Sequence, residues 1–179
     1  MRKIAFFDVD GTLTSEIDGS IPASTVDAIR AARANGNLMF INTGRCFHNL
    51  EERFQSIGFD GFVCGCGTDI YCDGRQLMHI APPHEVTMQL LEKAKEVDMD
   101  ILFESFDSTV FDLSRPLHNP DARKLYKENL EKGFEVFDPW TAQNFRCDKF
   151  VTWIRDEAQL NEFRKVSDQF FECIDRGGL

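Results

Sequence analysis

Residues Ile4–Leu13, with the sequence IAFFDVDGTL, join a short apolar run to two carboxylates and a glycine. Four apolar residues that stop abruptly predict a buried strand, because the run is too short for a helix. Asp8 and Asp10 follow this strand, and Gly11 comes next. In an open α/β sheet, ligands bind beyond the carboxyl ends of the strands. We therefore predict that both carboxylates lie at the functional edge of such a sheet.

Two carboxylates this close together repel each other unless a cation shares them. Oxygen ligands suit Mg²⁺, which takes one or two carboxylates and keeps places for water and phosphate. We predict that Asp8 and Asp10 bind Mg²⁺, with Asp8 as a nucleophile that forms an aspartyl phosphate and Asp10 as general acid and base. The alternative is a solvated Asp-Gly turn that follows a core strand.

The next elements predict a βαβ unit. A helix from Pro22 to about Asn35 is followed by a second apolar strand, Leu38–Ile41, and such strands are parallel with a right-handed connection. Thr43, which follows the second strand, should then lie near Asp8.

The tripeptide Thr43-Gly44-Arg45 contains groups that suit a phosphate. The Thr43 hydroxyl can donate to a phosphate oxygen, and Gly44 permits close approach of the backbone. The Arg45 guanidinium offers a planar fork that matches phosphate geometry.

The remaining sequence predicts two domains, 1–82 and 83–179, divided at Pro82-Pro83. In the first domain we expect a helix over Phe47–Ile57, a strand over Phe62–Cys64 and a hairpin around Asp73-Gly74. In the second we expect helices and short strands: helices His84–Val97, Pro120–Glu131 and Asp156–Ser167, and strands Asp100–Phe106, Thr109–Leu113, Phe134–Phe137, Lys149–Ile154 and Phe170–Ile174.

The amino-acid composition restricts the kinds of partner that we expect for this protein. The net charge of −10 argues against nucleic acid, whose phosphates need clustered Lys and Arg. There is no apolar run of 18 residues and no signal peptide, so we expect a cytoplasmic protein without a membrane partner. The six cysteines should be reduced thiols. Cys64-Gly65-Cys66 with Cys72 could be a soft-metal or redox site, but small buried residues are the favoured interpretation.

Asp8–Leu13 (DVDGTL) resembles the first motif of the haloacid dehalogenase (HAD) phosphatases, and Thr43-Gly44-Arg45 resembles their Cof-type sugar phosphatases. The resemblance implies an α/β fold: a doubly wound parallel sheet, here partial, with an inserted α/β cap domain at 83–179. It also implies Mg²⁺ held by Asp8 and the backbone carbonyl of Asp10, and a phosphate cradled by Thr43 and the backbone N–H groups around Gly11. The expected substrate is a small phosphomonoester.

The chain departs from the family pattern in two ways. Cys66-Gly67 stands where Cof-type enzymes usually have Asn-Gly, and no Lys or Gly-Asp-x-x-Asn-Asp motif follows the cap. Half of a doubly wound sheet would leave an apolar edge unpaired. We expect the chain to be part of a longer functional polypeptide, with a specialised short form as the alternative.

Three functional hypotheses remain open: a Mg²⁺-dependent phosphatase, a HAD phosphotransferase, and a non-catalytic domain that binds phosphate or a partner and forms a homodimer. In the cap, Arg115, His118 and Arg123 are either surface polar residues or a face over the active site. Trp140 and Trp153 are expected to pack within the cap or anchor an interface.

Overall fold

The computed structural model describes residues 1–133, the backbone of 136–137, and residues 145–174. The chain divides into two compact units, Met1–Ile80 and Ala81–Leu179. The division lies two residues before the sequence-predicted boundary at 82/83. Trp140 and the predicted strand residues 134–135 lie outside the described residues.

The first unit is built on a five-stranded sheet in the order β1-β2-β3-β4-β5. Its strands are β1 (Ile4–Phe7), β2 (Leu38–Asn42), β3 (Gly61–Cys64), β4 (Asp69–Cys72) and β5 (Arg75–His79). The first three strands are parallel, with Phe7 opposite Ile41, and the last two pair antiparallel to their neighbours. The predicted parallel α/β class is confirmed, as is the hairpin, whose turn residues Asp73 and Gly74 both have positive φ.

Helix α1 (Ala23–Ala34) connects β1 to β2. The chain leaves the helix at Gly36, two residues after its last residue, with a φ of +83° in the left-handed region that favours glycine. The buried core of this unit gathers residues from both helices and the sheet: Val9, Leu13, Ile29, Met39, Ile41, Leu50, Phe54, Ile57, Phe59 and Cys64. Burial of such side chains contributes about 1.5–3 kcal/mol each, which makes this core the main stabilising element of the unit.

The helix predicted over Phe47–Ile57 is wrong in part. The segment instead forms a 3₁₀ turn over Phe47–Asn49 and a short helix α2 (Glu52–Gln55), with Leu50 and Glu51 extended between them. The side chain of Gln55 donates to the Leu50 carbonyl at 2.8 Å, so that carbonyl is satisfied without a helix. The apolar spacing still identified burial correctly, because Leu50, Phe54 and Ile57 are core residues.

Strand β1 lies at one side of the sheet, and in the described part of the chain it pairs only with β2. Ile4 and Phe6 are 57% and 58% exposed, and Ala5 and Phe7 are only half-buried, so the prediction of a buried strand is wrong for β1. An apolar face accompanies the open edge, because β1 has no neighbour on that side among the described residues. Parallel sheets are normally covered on both faces. The predicted unpaired apolar edge is therefore present in the described residues.

Asp60 ties α1 to the sheet. It accepts hydrogen bonds from the Arg33 guanidinium at 2.8–3.2 Å and from the Met39 N–H at 2.8 Å. The Arg33 hydrogen bonds lower the pKa of Asp60, burial opposes that shift, and the Met39 N–H adds to the lowering. This contact holds the C-terminal half of α1 against β2 and the segment that precedes β3.

A lowered pKa makes the contribution of Asp60 dependent on pH. A carboxylate with a depressed folded pKa stabilises the fold fully above its unfolded pKa of about 3.9, and the contribution is lost as pH falls through the folded pKa. We expect Asp60→Asn to lower the urea midpoint at pH 7, and the gap from wild type to narrow below about pH 4. A gap that stays constant down to pH 2.5 would contradict this role.

The second unit contains a four-stranded sheet in the order β8-β7-β6-β9. The strands are β6 (Asp100–Glu104), β7 (Thr109–Phe111), β8 (Val136–Phe137) and β9 (Lys149–Trp153), and the helices are α3 (His84–Glu96), α4 (Pro120–Glu131) and α5 (Glu157–Ser167). The predicted helix Pro120–Glu131 is confirmed as α4: Asn119 caps it by accepting from the N–H groups of Asp121 and Ala122, and Pro120 opens its first turn.

The core of the second unit is separate from that of the first: Val86, Leu90, Leu91, Ala94, Met99, Ile101, Phe103, Val110, Phe145, Cys147 and Phe163. The predicted strand at Phe170–Ile174 is wrong. The Ser167 carbonyl accepts from the N–H groups of Phe170 and Phe171, which turns the chain after α5. Phe171 then packs against Phe150 at a ring distance of 5.1 Å. Within the described residues, no helix has the length and apolar character needed to cross a membrane.

Candidate active site

The two carboxylates follow β1 in a wide turn. The N–H of Leu13 donates to the Asp8 carbonyl at 3.2 Å, and the N–H of Thr14 donates to the Val9 carbonyl at 3.0 Å. Val9 and Leu13 are buried, whereas Asp8 and Asp10 are exposed. The buried pair therefore anchors the turn on the core, while the acidic residues between and before them face solvent.

Gly11 permits this turn. Its φ of +75° lies in the left-handed region, where a residue with a Cβ is strained. The nearest atom to an added Cβ would be the end of the Glu16 side chain, which can move. The requirement for glycine thus comes from the backbone conformation rather than from crowding.

Thr43 leaves the sheet at the same edge as Asp8. Because Phe7 pairs with Ile41 in parallel register, the residues that follow both strands emerge together. Thr43 is 4% exposed, and its N–H donates to the Val63 carbonyl at 2.9 Å. Its hydroxyl oxygen accepts from the Arg45 N–H at 3.2 Å, an arrangement in which the hydroxyl proton can still be donated to a ligand.

Arg45 binds Asp10. Its Nη2 and Nε donate to the two Asp10 carboxylate oxygens at 2.6 and 3.1 Å, and its Nη1 lies 3.5 Å from Glu51. Burial lowers the pKa of Arg45, but the hydrogen bonds and charges of Asp10 and Glu51 more than offset it and raise that pKa. The phosphate contact expected for Arg45 and Gly44 stays a prediction, because the observed partners of the guanidinium are carboxylates.

The donors available for a hard cation are oxygens. Both carboxylate oxygens of Asp10 accept from Arg45, and the backbone carbonyl of Asp10 is the ligand that the family resemblance implies. In the described part of the chain, no donor contacts the Asp8 carboxylate, and no group of three or more His, Cys, Asp or Glu is placed to hold a metal. One carboxylate and one carbonyl fit Mg²⁺, which keeps several waters.

The loop after β3 supports the Thr43–Arg45 segment. The Gly65 N–H donates to the Arg45 carbonyl at 2.8 Å, and the Cys66 N–H donates to the Thr43 carbonyl at 3.4 Å. Sequence reasoning missed this support and also missed Glu51. The sequence suggested a role for the thiols of Cys64 and Cys66, whereas the backbone N–H groups of Gly65 and Cys66 make the contacts with the Thr43–Arg45 segment.

The six cysteines are free thiols. Burial, with the nearby Asp69 carboxylate, raises the pKa of Cys64 to about 12, and burial raises the pKa of Cys147 to about 11. Cys66 is exposed. The soft-metal interpretation gains no support from the described residues, among which no such ligand group is found.

These environments predict selective labelling. At pH 8, dithionitrobenzoate should react with Cys66 within seconds to minutes, because this thiol is exposed to solvent. Cys64 and Cys147 should react only after unfolding in urea. Peptide mapping after a short pulse measures the order, and early modification of Cys64 would contradict its burial.

The polar residues predicted for the cap have partners within their own unit. Arg115 forms an ion pair with Asp98 and donates to the Met99 carbonyl. Arg123 donates to the Leu117 and His118 carbonyls at 2.8 and 2.6 Å. These contacts favour the interpretation as structural polar residues, and a role over the active site stays a prediction.

Comparison with known proteins identifies the family to which the chain is similar. The sequence profile of the haloacid dehalogenase-like hydrolases matches residues 5–176. The Bacillus subtilis (strain 168) protein named "Putative phosphatase YkrA" is 26% identical over 106 residues, which are 59% of this chain and 41% of that protein. The chain therefore spans less than half of this relative.

Solved structures share the fold. A HAD-superfamily phosphatase from Bacteroides thetaiotaomicron aligns with a TM-score of 0.73 at 21% identity, over 93% of this chain and 61% of its own. A subclass IIB sugar phosphatase, BT4131, aligns with a TM-score of 0.69 at 23% identity, over 93% and 63% of the two chains. With the α/β sheet, the aspartate turn and the family profile in agreement, the chain belongs to the haloacid dehalogenase-like hydrolase family.

Proposed function

We propose that this protein hydrolyses small phosphomonoesters with the help of Mg²⁺. The observation that carries the proposal is the exposed Asp8 carboxylate at the carboxyl end of β1, at the same sheet edge as the Thr43 hydroxyl. An accessible carboxylate at the same sheet edge as a hydroxyl donor suits attack on phosphorus and binding of a phosphate oxygen. The names of the related phosphatases support the same reaction class.

In the proposed reaction, an Asp8 oxygen attacks phosphorus and the ester P–O bond breaks. Asp10 gives a proton to the leaving alcohol, and an aspartyl phosphate forms. Asp10 then takes a proton from water as the water attacks phosphorus, which releases phosphate and restores Asp8. Mg²⁺, when held by Asp8 and the Asp10 carbonyl, would offset the negative charge of the transferring group.

Thr43 and the backbone around Gly11 are proposed to hold the phosphate oxygens. The Thr43 side chain is buried and fixed by its contact with the Arg45 N–H, so its hydroxyl has a restricted direction. Preorganised donors of this kind stabilise charge that develops in the transition state. The leaving group is proposed to be a sugar, because one fold relative is a sugar phosphatase.

The test is steady-state hydrolysis of p-nitrophenyl phosphate and a panel of hexose and pentose phosphates by this chain. We expect turnover with Mg²⁺, loss with EDTA, and recovery when Mg²⁺ is returned in excess. Phosphate release that is unchanged by EDTA would overturn the metal requirement. Transfer of phosphate to an added alcohol in place of water would favour the phosphotransferase alternative.

A second candidate is a non-catalytic domain that binds phosphate or a partner. The observation that favours it is the open apolar edge of β1, in a chain that spans 61% of its fold relative. Calorimetry with Mg²⁺ and inorganic phosphate, combined with sedimentation to detect a homodimer, separates the two candidates. Binding and dimerisation without turnover would support the second, whereas Mg²⁺-dependent turnover would defeat it.

A further inference from the structure

Glu51 lies between two arginines. Its Oε2 accepts from the Nε of Arg53 at 2.5 Å, and its Oε1 lies 3.5 Å from the Nη1 of Arg45. The Glu51 side chain is 30% exposed, and its backbone is extended at the break between the 3₁₀ turn and α2. The carboxylate is therefore held at a fixed place by a second cation, Arg53, which itself donates to the Gly19 carbonyl.

Arg45 is held on three sides. One edge of its guanidinium grips both oxygens of Asp10, and the remaining Nη1 points to Glu51. The guanidinium carbon lies 5.6 Å from the centre of the Phe54 ring, and that of Arg53 lies 4.7 Å from the same ring. Phe54 is fully buried, so its ring has a fixed position, and both guanidinium groups make cation–π contacts with it.

Asp10 needs such restraint. Its side chain is 61% exposed and stands in a turn with a left-handed glycine next to it. A two-point contact with a planar guanidinium fixes both the direction and the rotation of a carboxylate, which a single contact does not. The extended backbone between the 3₁₀ turn and α2 is therefore relevant to the site, because it places the Glu51 carboxylate next to the Arg45 guanidinium.

We propose that Glu51 is a positioning residue for Asp10: it holds the Arg45 guanidinium so that its two-point grip fixes the Asp10 carboxylate. Glu51 itself touches no reacting atom and acts through Arg45. The positioning role of Glu51 rests on the proposed function, in which Asp10 is the general acid and base. The competing role for Arg45, direct binding of the substrate phosphate, makes the opposite kinetic prediction.

The kinetic test compares Glu51→Gln with Glu52→Gln, a matched change at the adjacent residue, which is exposed and makes no contact with Arg45. Glu51→Gln should lower kcat for p-nitrophenyl phosphate by about 3–10-fold and change KM less than about two-fold, because misplacement affects the chemical step. Arg45→Ala should lower kcat by about 100-fold, with partial recovery in guanidinium at tens of millimolar. Glu52→Gln should match wild type.

Two kinetic results would overturn the proposal. One is equal behaviour of Glu51→Gln and Glu52→Gln. The other is a raised KM with unchanged kcat in Arg45→Ala, which would assign the guanidinium to substrate binding. Glu51→Asp, which keeps the charge on a shorter side chain, should fall between wild type and Glu51→Gln.

A spectroscopic test works without turnover. In ¹⁵N-labelled protein, the Arg45 Nε–H should give a signal protected from solvent exchange, since that proton points at Asp10. The signal should disappear in Asp10→Asn, broaden in Glu51→Gln and persist in Glu52→Gln, with unchanged far-UV circular dichroism. An unaltered signal in Glu51→Gln refutes the positioning role. If wild type lacks turnover, the proposed function fails, while this spectrum still decides the role of Glu51.

Discussion

Replacing Asp8 by Asn is expected to abolish the hydrolysis of p-nitrophenyl phosphate, with kcat lowered by at least about 10³-fold. The amide has nearly the same shape as the carboxylate but cannot attack phosphorus, and it is a weaker ligand for Mg²⁺. The Asp8 side chain is exposed and makes no contact with a donor among the described residues. The loss should therefore come from chemistry rather than from unfolding.

The matched control is Asp27→Asn, which removes one negative charge from an exposed residue of α1 that is not part of the candidate site. We expect this variant to retain wild-type rates. Mass spectrometry of wild type quenched in acid during turnover should show a phosphate adduct, and the adduct should be missing in Asp8→Asn. Retained turnover in Asp8→Asn would remove this residue as the nucleophile.

Replacing Gly61 by Ala should be strongly destabilising. Gly61 lies in β3 between β2 and β4, opposite Phe40 and Cys72. An added Cβ would stand 2.2 Å from the Tyr71 carbonyl oxygen and 2.3 Å from a Phe40 ring carbon, so a strand must shift. Overpacking typically costs about 1–3 kcal/mol in the free energy of unfolding, and the backbone contact places Gly61→Ala at the upper end of that range. Urea titration followed by circular dichroism measures the loss.

Gly36→Ala is the comparison that separates crowding from backbone strain. Its added Cβ would have no atom within 4 Å, and only its φ of +83° opposes the substitution. That strain costs about 1–2 kcal/mol. If Gly61→Ala were no more destabilising than Gly36→Ala, the close approach of β4 and Phe40 to Gly61 would be refuted.

The sequence was informative where a local rule fixes the conformation. Four apolar residues followed by Asp8 and Asp10 predicted the strand β1, although not its exposure, and Asp73-Gly74 predicted a hairpin whose two turn residues do have positive φ. The parallel pairing of β1 with β2 followed from the βαβ pattern. In each case one short-range constraint excludes most alternatives.

Apolar spacing was less informative, because it reports which side chains are buried rather than how the backbone runs. Leu50, Phe54 and Ile57 are core residues without a continuous helix between them. At Phe170–Ile174 a mostly apolar sequence, FFECI, follows a turn in which the Ser167 carbonyl accepts from two N–H groups. Side-chain hydrogen bonds and turns of this kind override periodicity and have no sequence signature of their own.

The sequence also did not predict the hydrogen-bond partners of Arg45. A guanidinium suits phosphate and carboxylate alike, and sequence reasoning favoured phosphate. The structure places the Arg45 guanidinium between the carboxylates of Asp10 and Glu51. Glu51 follows Arg45 by six residues, a spacing that is typical of no regular helix or strand contact. Only the three-dimensional path of the chain could reveal that choice.

The open edge of β1 in the described residues also bears on how this 179-residue chain behaves in concentrated solution. A short extended stretch with protruding Ile4 and Phe6 is the kind of surface that chaperones capture and that seeds cross-β aggregates. Arg2 and Lys3 stand directly before it as like-charged gatekeepers, which discourage two copies from stacking in register. Replacing Arg2 and Lys3 by neutral residues is therefore expected to increase aggregation through this strand.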